Sequence, residues 1–193
     1  MPRVAIGLTI AFVLVIAVFH VLRPDVDPYA RGVSRYAVGP YGEAFNVASL
    51  VLAVALVATG FGFRQAAPAP GTLGVYLLWL SAAGIAVAAA FPLRAVESLA
   101  AVNLPHQAGG MIFFPAAAAA ALVLSGATGR HTALAWGVVF AVAVFSLSVG
   151  VPALTAIRGL LQRICFGTIV AWLIVANAAL DRLSLAGRPG ASP

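Results

Sequence analysis

VAIGLTIAFVLVIAVFHVL, residues 4–22, holds no Asp, Glu, Lys or Arg. A spanning helix needs about 20 mostly apolar residues, because each adds about 1.5 Å across a hydrocarbon core about 30 Å thick. This run meets that length. It does not read as a cleaved leader, whose apolar stretch is usually about 7–15 residues and ends at a small-residue cleavage site. Here the apolar run continues to Leu22 and meets Arg23-Pro24-Asp25, so it predicts a retained helix. Five more runs of the same kind follow at about 43–63, 72–91, 107–125, 132–151 and 159–181. Together they predict an all-α fold, a polytopic transmembrane bundle of six helices with both termini on the same side. The predicted organisation is a single transmembrane domain over 1–183 and a disordered tail over 184–193, which ends Gly187-Arg188-Pro189-Gly190-Ala191-Ser192-Pro193.

Composition points the same way. Of 193 residues, 63% are hydrophobic and 8% charged, and the mean hydropathy is +1.06. A soluble domain carries about 25% charged residues. A chain this apolar could not bury its surface and still present a wetted exterior. That excludes a soluble enzyme and a disordered chain. All 11 basic residues are Arg and stand singly between apolar runs rather than on one basic face, so no nucleic-acid partner is expected. Cys165 is the one cysteine and has no internal disulfide partner.

Alternate connections share a face. Arg3, Arg64, Arg130, Arg182 and Arg188 fall on the terminal face; Arg23, Arg31, Arg35, Arg94, Arg158 and Arg163 fall on the opposite one. The positive-inside rule is close to a tie here. Asp25, Asp27, Glu43 and Glu97 leave the terminal face the more positive, which favours cytoplasmic termini in a bacterial or archaeal cytoplasmic membrane.

No charge falls near the middle of a predicted helix, which argues against a midplane ion or proton path. Ser81, Ser146, Ser148, Thr168 and Asn177 lie deep, and such groups ordinarily bond to their own or a neighbouring helix. The stronger polar groups gather at the face away from the termini. His20 ends the first helix. Asp25, Asp27, Ser34 and Arg35 lie in the first loop, and Glu43 opens the second helix. Arg94 and His106 flank the third connection, and Gln162 and Arg163 begin the sixth helix. These ten residues are the candidate binding cluster. Arg163, about four residues into its helix, needs acceptors; Asp25, Asp27, Glu43 or an anionic headgroup are the expected ones, and His20 is expected near His106. The histidines lack metal-ligand spacing and share one side, unlike the opposed ligands of two-haem proteins, so neither metal nor cofactor is expected.

At these same positions the chain resembles the DUF998 family of six-helix integral membrane proteins. His20, Arg23-Pro24, Asp27-Pro28, Ser34-Arg35-Tyr36 and Gly39-Pro40-Tyr41-Gly42 resemble its opening signature. Phe91-Pro92, His106-Gln107 and Gly109 resemble a second block, and Gly159-Leu160-Leu161-Gln162-Arg163 a third. The resemblance covers about 20–182. It departs after Phe91-Pro92, where the family often carries Asp and this chain has Leu93-Arg94. The resemblance implies the six-helix topology and no settled activity.

The function expected from the residues is that of a small integral membrane protein. It would bind a lipid headgroup or small amphiphile at the polar mouth of the bundle, with Arg163, Arg94 and Arg35 as guanidinium forks. Membrane lipids are then the expected partners. The alternatives are a membrane-embedded lipid hydrolase using His20, His106, Asp27 and Glu43, and an accessory subunit docking a membrane-protein partner.

Overall fold

The computed structural model describes residues 1–66, 71–95 and 101–186, and everything below concerns these. Six long helices are present: α1 (Pro2–Leu22), α2 (Gly42–Ala66), α3 (Thr72–Ala90), α4 (Leu104–Thr128), α5 (Thr132–Gly150) and α6 (Arg158–Ala186). Each is long and apolar enough to cross a membrane. The expected runs are all found; the main difference is at the ends, where α2, α4 and α6 extend one to five residues beyond the apolar windows. The predicted tail falls mostly at 187–193, outside the described residues, as does Glu97.

Each helix packs on its neighbour in sequence, and α6 returns to α1, so the six close into a ring. Helices α2 and α4 also reach α6 across the centre. Leu52 and Leu56 of α2, Leu78 of α3, Leu124 of α4 and Trp172 and Leu173 of α6 form the common core. The outer faces are apolar too: Leu14, Val18, Phe140 and Leu147 are exposed. In water these would form a large sticky surface, whereas lipid is their solvent and a helix satisfies its interior backbone groups within itself. Arg3 Nε bonds both carboxylate oxygens of Asp181 at 3.0 Å, which sets the start of α1 beside the end of α6 and both ends of the bundle's chain on one side.

The closest helix pair, α3 with α4, meets backbone to backbone. A Cβ on Gly84 would lie 2.7 Å from the Phe113 nitrogen and 2.8 Å from the Gly109 oxygen. One on Gly109 would lie 2.6 Å from the Gly84 oxygen. Small residues provide this approach where no hydrophobic effect drives helices together. Ser81 Oγ then donates to the Phe113 carbonyl across the same contact at 3.0 Å. The other deep polar groups behave as expected: Ser146, Ser148 and Thr168 donate to their own helices, and Asn177 Nδ2 donates to Thr59 Oγ1 and Leu173 O, both at 2.8 Å. The contact predicts that Gly109→Ala lowers stability by about 1–3 kcal/mol through overpacking. Gly110→Ala, whose added Cβ meets nothing within 4 Å, leaves it unchanged or slightly raised. Thermal unfolding of both variants in detergent distinguishes them.

Candidate functional site

The chain between α1 and α2 is polar, rich in Pro and Gly, and 19 residues long, yet it is closely held. One arginine clamps each half of it. Arg23, immediately after α1, is 6% exposed. Its Nε and Nη2 bond the two Asp25 oxygens at 2.8 and 2.7 Å, and its Nη1 bonds the Val38 and Pro40 carbonyls at 2.9 and 3.0 Å. The returning chain passes over this guanidinium at Gly39, whose φ of +87° suits glycine and whose missing Cβ would sit 3.4 Å from Arg23 Nη2. Between the clamps, Val26, Val33 and Tyr36 turn inward and pack on Phe19 of α1 and Phe45 of α2 as a small second core.

The second clamp is the start of α6. Leu160 N–H donates to Tyr29 O at 3.0 Å, and Gln162 Oε1 accepts from Val33 N–H at 2.6 Å. Gly159 admits the main chain of Arg31, which any Cβ there would overlap. Arg163 completes the grip. Its Nη1 donates to Pro28 O at 2.9 Å, Arg31 O at 2.6 Å and, within its own helix, Gly159 O at 3.1 Å. Its Nη2 donates to Tyr36 Oη at 3.2 Å and its Nε to His20 Nε2 at 2.9 Å. A guanidinium only donates, so His20 presents a lone pair at Nε2 and carries its proton on Nδ1, which bonds Ile16 O at 2.7 Å. This corrects the expected partner: main-chain oxygens, Tyr36 and a neutral histidine hold Arg163, and no carboxylate among the described residues does so. It also corrects the expected fork. Four of the five N–H groups are committed, and one on Nη2 remains.

The ten candidate residues come to one end of the bundle but not to one point. His20 and Arg163 close the upper end of a groove between α1 and α6. His106 instead bonds Ala88 O at 2.8 Å, satisfying one of the orphan carbonyls at the end of α3. With Ser34 and Gln162 it lines a separate cavity of about 50 Å³, and Phe166 stands between that cavity and the groove. Asp27 Oδ1 accepts from Tyr29 N–H at 2.8 Å, turning the loop. Glu43 is exposed in the first turn of α2, where a carboxylate suits the helix dipole. Asp25 belongs to Arg23, and Arg35 borders a depression on the outer loop surface. Arg94 is exposed, with its N–H on Asn103 Oδ1 at 2.8 Å. Among the described residues no three His, Cys, Asp or Glu side chains assemble in a metal-binding group.

The groove is the largest of these spaces, about 460 Å³, within the range of about 300–1,000 Å³ typical of ligand pockets. Phe12, Val13 and Ile16 wall it on one side; Phe166, Val170 and Ile174 wall it on the other. From His20 to Phe12 on α1, and from Arg163 to Ile174 on α6, it runs about 12–16 Å at about 1.5 Å per residue. That is about half of a hydrocarbon core about 30 Å thick, the depth of one leaflet. Gly167 lies along it with nothing within 4 Å of an added Cβ.

The candidate cluster left out Arg23 and Tyr36, although both stand in the opening signature, and the carbonyls of Pro28 and Arg31. The Gly159-to-Arg163 spacing was the available signal: a glycine one turn before an arginine marks a helix face open to close backbone approach. Two outcomes test the clamps. Arg163→Ala strips donors from Pro28 O, Arg31 O and His20; amide exchange at Val33 and Leu160 should accelerate and stability should fall by about 1–3 kcal/mol. The hydrogen bond and charge of Arg23 hold the Asp25 carboxyl below its ordinary 3.8. A depressed acid stabilises the fold above the unfolded-state value and stops doing so as pH falls through the folded one. Carbon NMR of Asp25 should therefore show a midpoint below 3.8, moving back up in Arg23→Gln.

The model of the family described as protein of unknown function (DUF998) matches residues 6–179. No curated protein and no solved structure matches the chain. With nearly its whole length covered, and with six membrane-spanning helices closed by the loop-to-α6 clamp, the chain belongs to the DUF998 family.

Proposed function

We propose that this integral membrane protein binds an anionic amphiphile, with its acyl chain in the α1–α6 groove and its head at Arg163 and His20. The observation that carries the reading is the match between the groove and half a bilayer: an apolar trough one leaflet deep ends at a cation. Arg163 keeps its full charge because carbonyl dipoles solvate it without neutralising it. A charge without a counter-charge at the edge of a low-dielectric region attracts an anion strongly. Only one Nη2 N–H is free to meet it, so the head is held through a single contact and the field rather than through a two-point fork.

The hydrolase reading has no comparable support. His20 is committed to Arg163 and Ile16, His106 to Ala88, and Asp27 to the Tyr29 amide. Glu43 faces outward. In the proposed reading the termini lie on the cytoplasmic side of a bacterial or archaeal cytoplasmic membrane, and the groove opens to the outer leaflet.

The test fills the trough. Gly167→Phe, placed where an added Cβ has nothing within 4 Å, should keep the parent's melting temperature and bind a fluorescent fatty acid about tenfold or more weakly, a loss of about 1.4 kcal/mol or more. The same chain bearing a trimethylammonium head should bind the parent protein poorly. Equal fatty-acid binding by Gly167→Phe and the parent rejects the groove as the site.

A further inference from the structure

On the outer surface of the first loop lies a depression of about 300 Å³ that shares no lining residue with the α1–α6 groove. Arg23, Asp25, Arg31, Arg35 and the 38–40 segment frame it. We propose that it is a second anion site, independent of the first, and that it takes a phosphate monoester dianion between Arg31 and Arg35.

Three observations support this. The first is charge that is present and unspent. Arg23 and Asp25 neutralise each other through two short bonds of 2.8 and 2.7 Å, so the carboxylate in the lining repels nothing. Arg31 and Arg35 remain, and among the described residues neither guanidinium has a hydrogen-bond or ion-pair partner. The depression therefore carries two positive charges and two complete donor forks.

The second is rigidity. Arg31 is fixed through its main chain: its N–H bonds Asp27 O at 2.9 Å and its carbonyl accepts from Arg163 at 2.6 Å. Arg35 sits on the 3-10 turn Val33–Ala37, anchored by the buried Val33 and Tyr36. Arg23 holds the opposite rim through the Val38 and Pro40 carbonyls. Two flexible arginines lose much entropy on binding, and a fixed frame reduces that cost.

The third is matching chemistry. A guanidinium meets phosphate oxygens in a planar two-donor contact. A phosphate monoester carries about −1.5 to −2 charges at neutral pH, enough for both forks, whereas a carboxylate or phosphodiester carries one. The loop joins the end of α1 to the start of α2, so the depression lies at headgroup level, where such a group arrives either dissolved or on a lipid.

The experiment uses the full chain in phosphatidylcholine nanodiscs. Inorganic phosphate is titrated at constant ionic strength with chloride as the balance, and the melting temperature is read. Phosphate is then replaced by 10% phosphatidic acid, a monoester, or 10% phosphatidylglycerol, a diester. The comparison protein is the R31Q/R35Q double variant, which keeps polar side chains at positions whose guanidinium groups make no hydrogen bond or ion pair among the described residues. Saturable stabilisation by phosphate supports a dissolved ligand; stabilisation by phosphatidic acid alone supports a lipid one. In both cases the double variant should respond about tenfold or more weakly. The parent's response should also weaken between pH 7.5 and 5.5, as the second phosphate proton returns near a pKa of about 6. Equal responses from parent and double variant, or to the monoester and diester lipids, overturn the site and leave two interfacial arginines. Gly167→Phe, which closes the groove to lipid, should keep the parent's response to inorganic phosphate and its preference for phosphatidic acid over phosphatidylglycerol, so loss of the groove reading leaves this one standing.

Discussion

A guanidinium solvated by main-chain carbonyls organises this end of the molecule. Arg163 receives oxygen from Pro28, Arg31 and its own helix at Gly159, plus Tyr36 and the lone pair of His20. A carboxylate in that place would make a partly buried ion pair, whose desolvation offsets much of its attraction. Carbonyls do something different. They satisfy donors, fix the loop's path and leave the net charge intact. The arrangement therefore performs two tasks that usually compete, clamping structure and presenting an electrostatic field.

The rest of the polar end follows from that grip. Once residues 28–33 are held on α6, Val33 and Tyr36 must turn inward onto Phe19 and Phe45, and Ser34 falls toward the cavity beside His106. Arg31 and Arg35 are left on the outside. Arg23 then holds Asp25 and the returning chain, the latter at Val38 and Pro40. The two arginines are not redundant: one fixes the loop to the far end of the sequence, the other fixes it to the helix it came from.

The fold was legible because its signal is long and simple. Runs such as residues 4–22 announce spanning helices by length and lack of charge, and an even number of them brings the start of α1 beside the end of α6, as the Arg3–Asp181 pair shows. The polar end was legible only as a neighbourhood. Opposite charges in sequence encouraged pairing Arg163 with Asp25, Asp27 or Glu43, but distance in the chain carries no information about which acceptor wins. Main-chain oxygens are invisible to a reading built on side-chain types, and they supplied most of what Arg163 needed. His20 and His106 looked like a pair because both are histidines on one face. Phe166, an ordinary apolar residue of α6, lies between the spaces they line.

The contact of Gly159 with the Arg31 backbone also bears on how the protein is made. The loop's hydrogen-bond partners on α6 lie 127 to 135 residues further along the chain. Synthesis proceeds at about 5–20 residues per second, so the loop is made on the order of ten seconds before α6 exists to receive it. Through that interval α1 and α2 stand in the membrane with an unlatched connection between them. The last helix is therefore the one that locks the first, and a chain that stalls before residue 158 has every earlier span but lacks the latch.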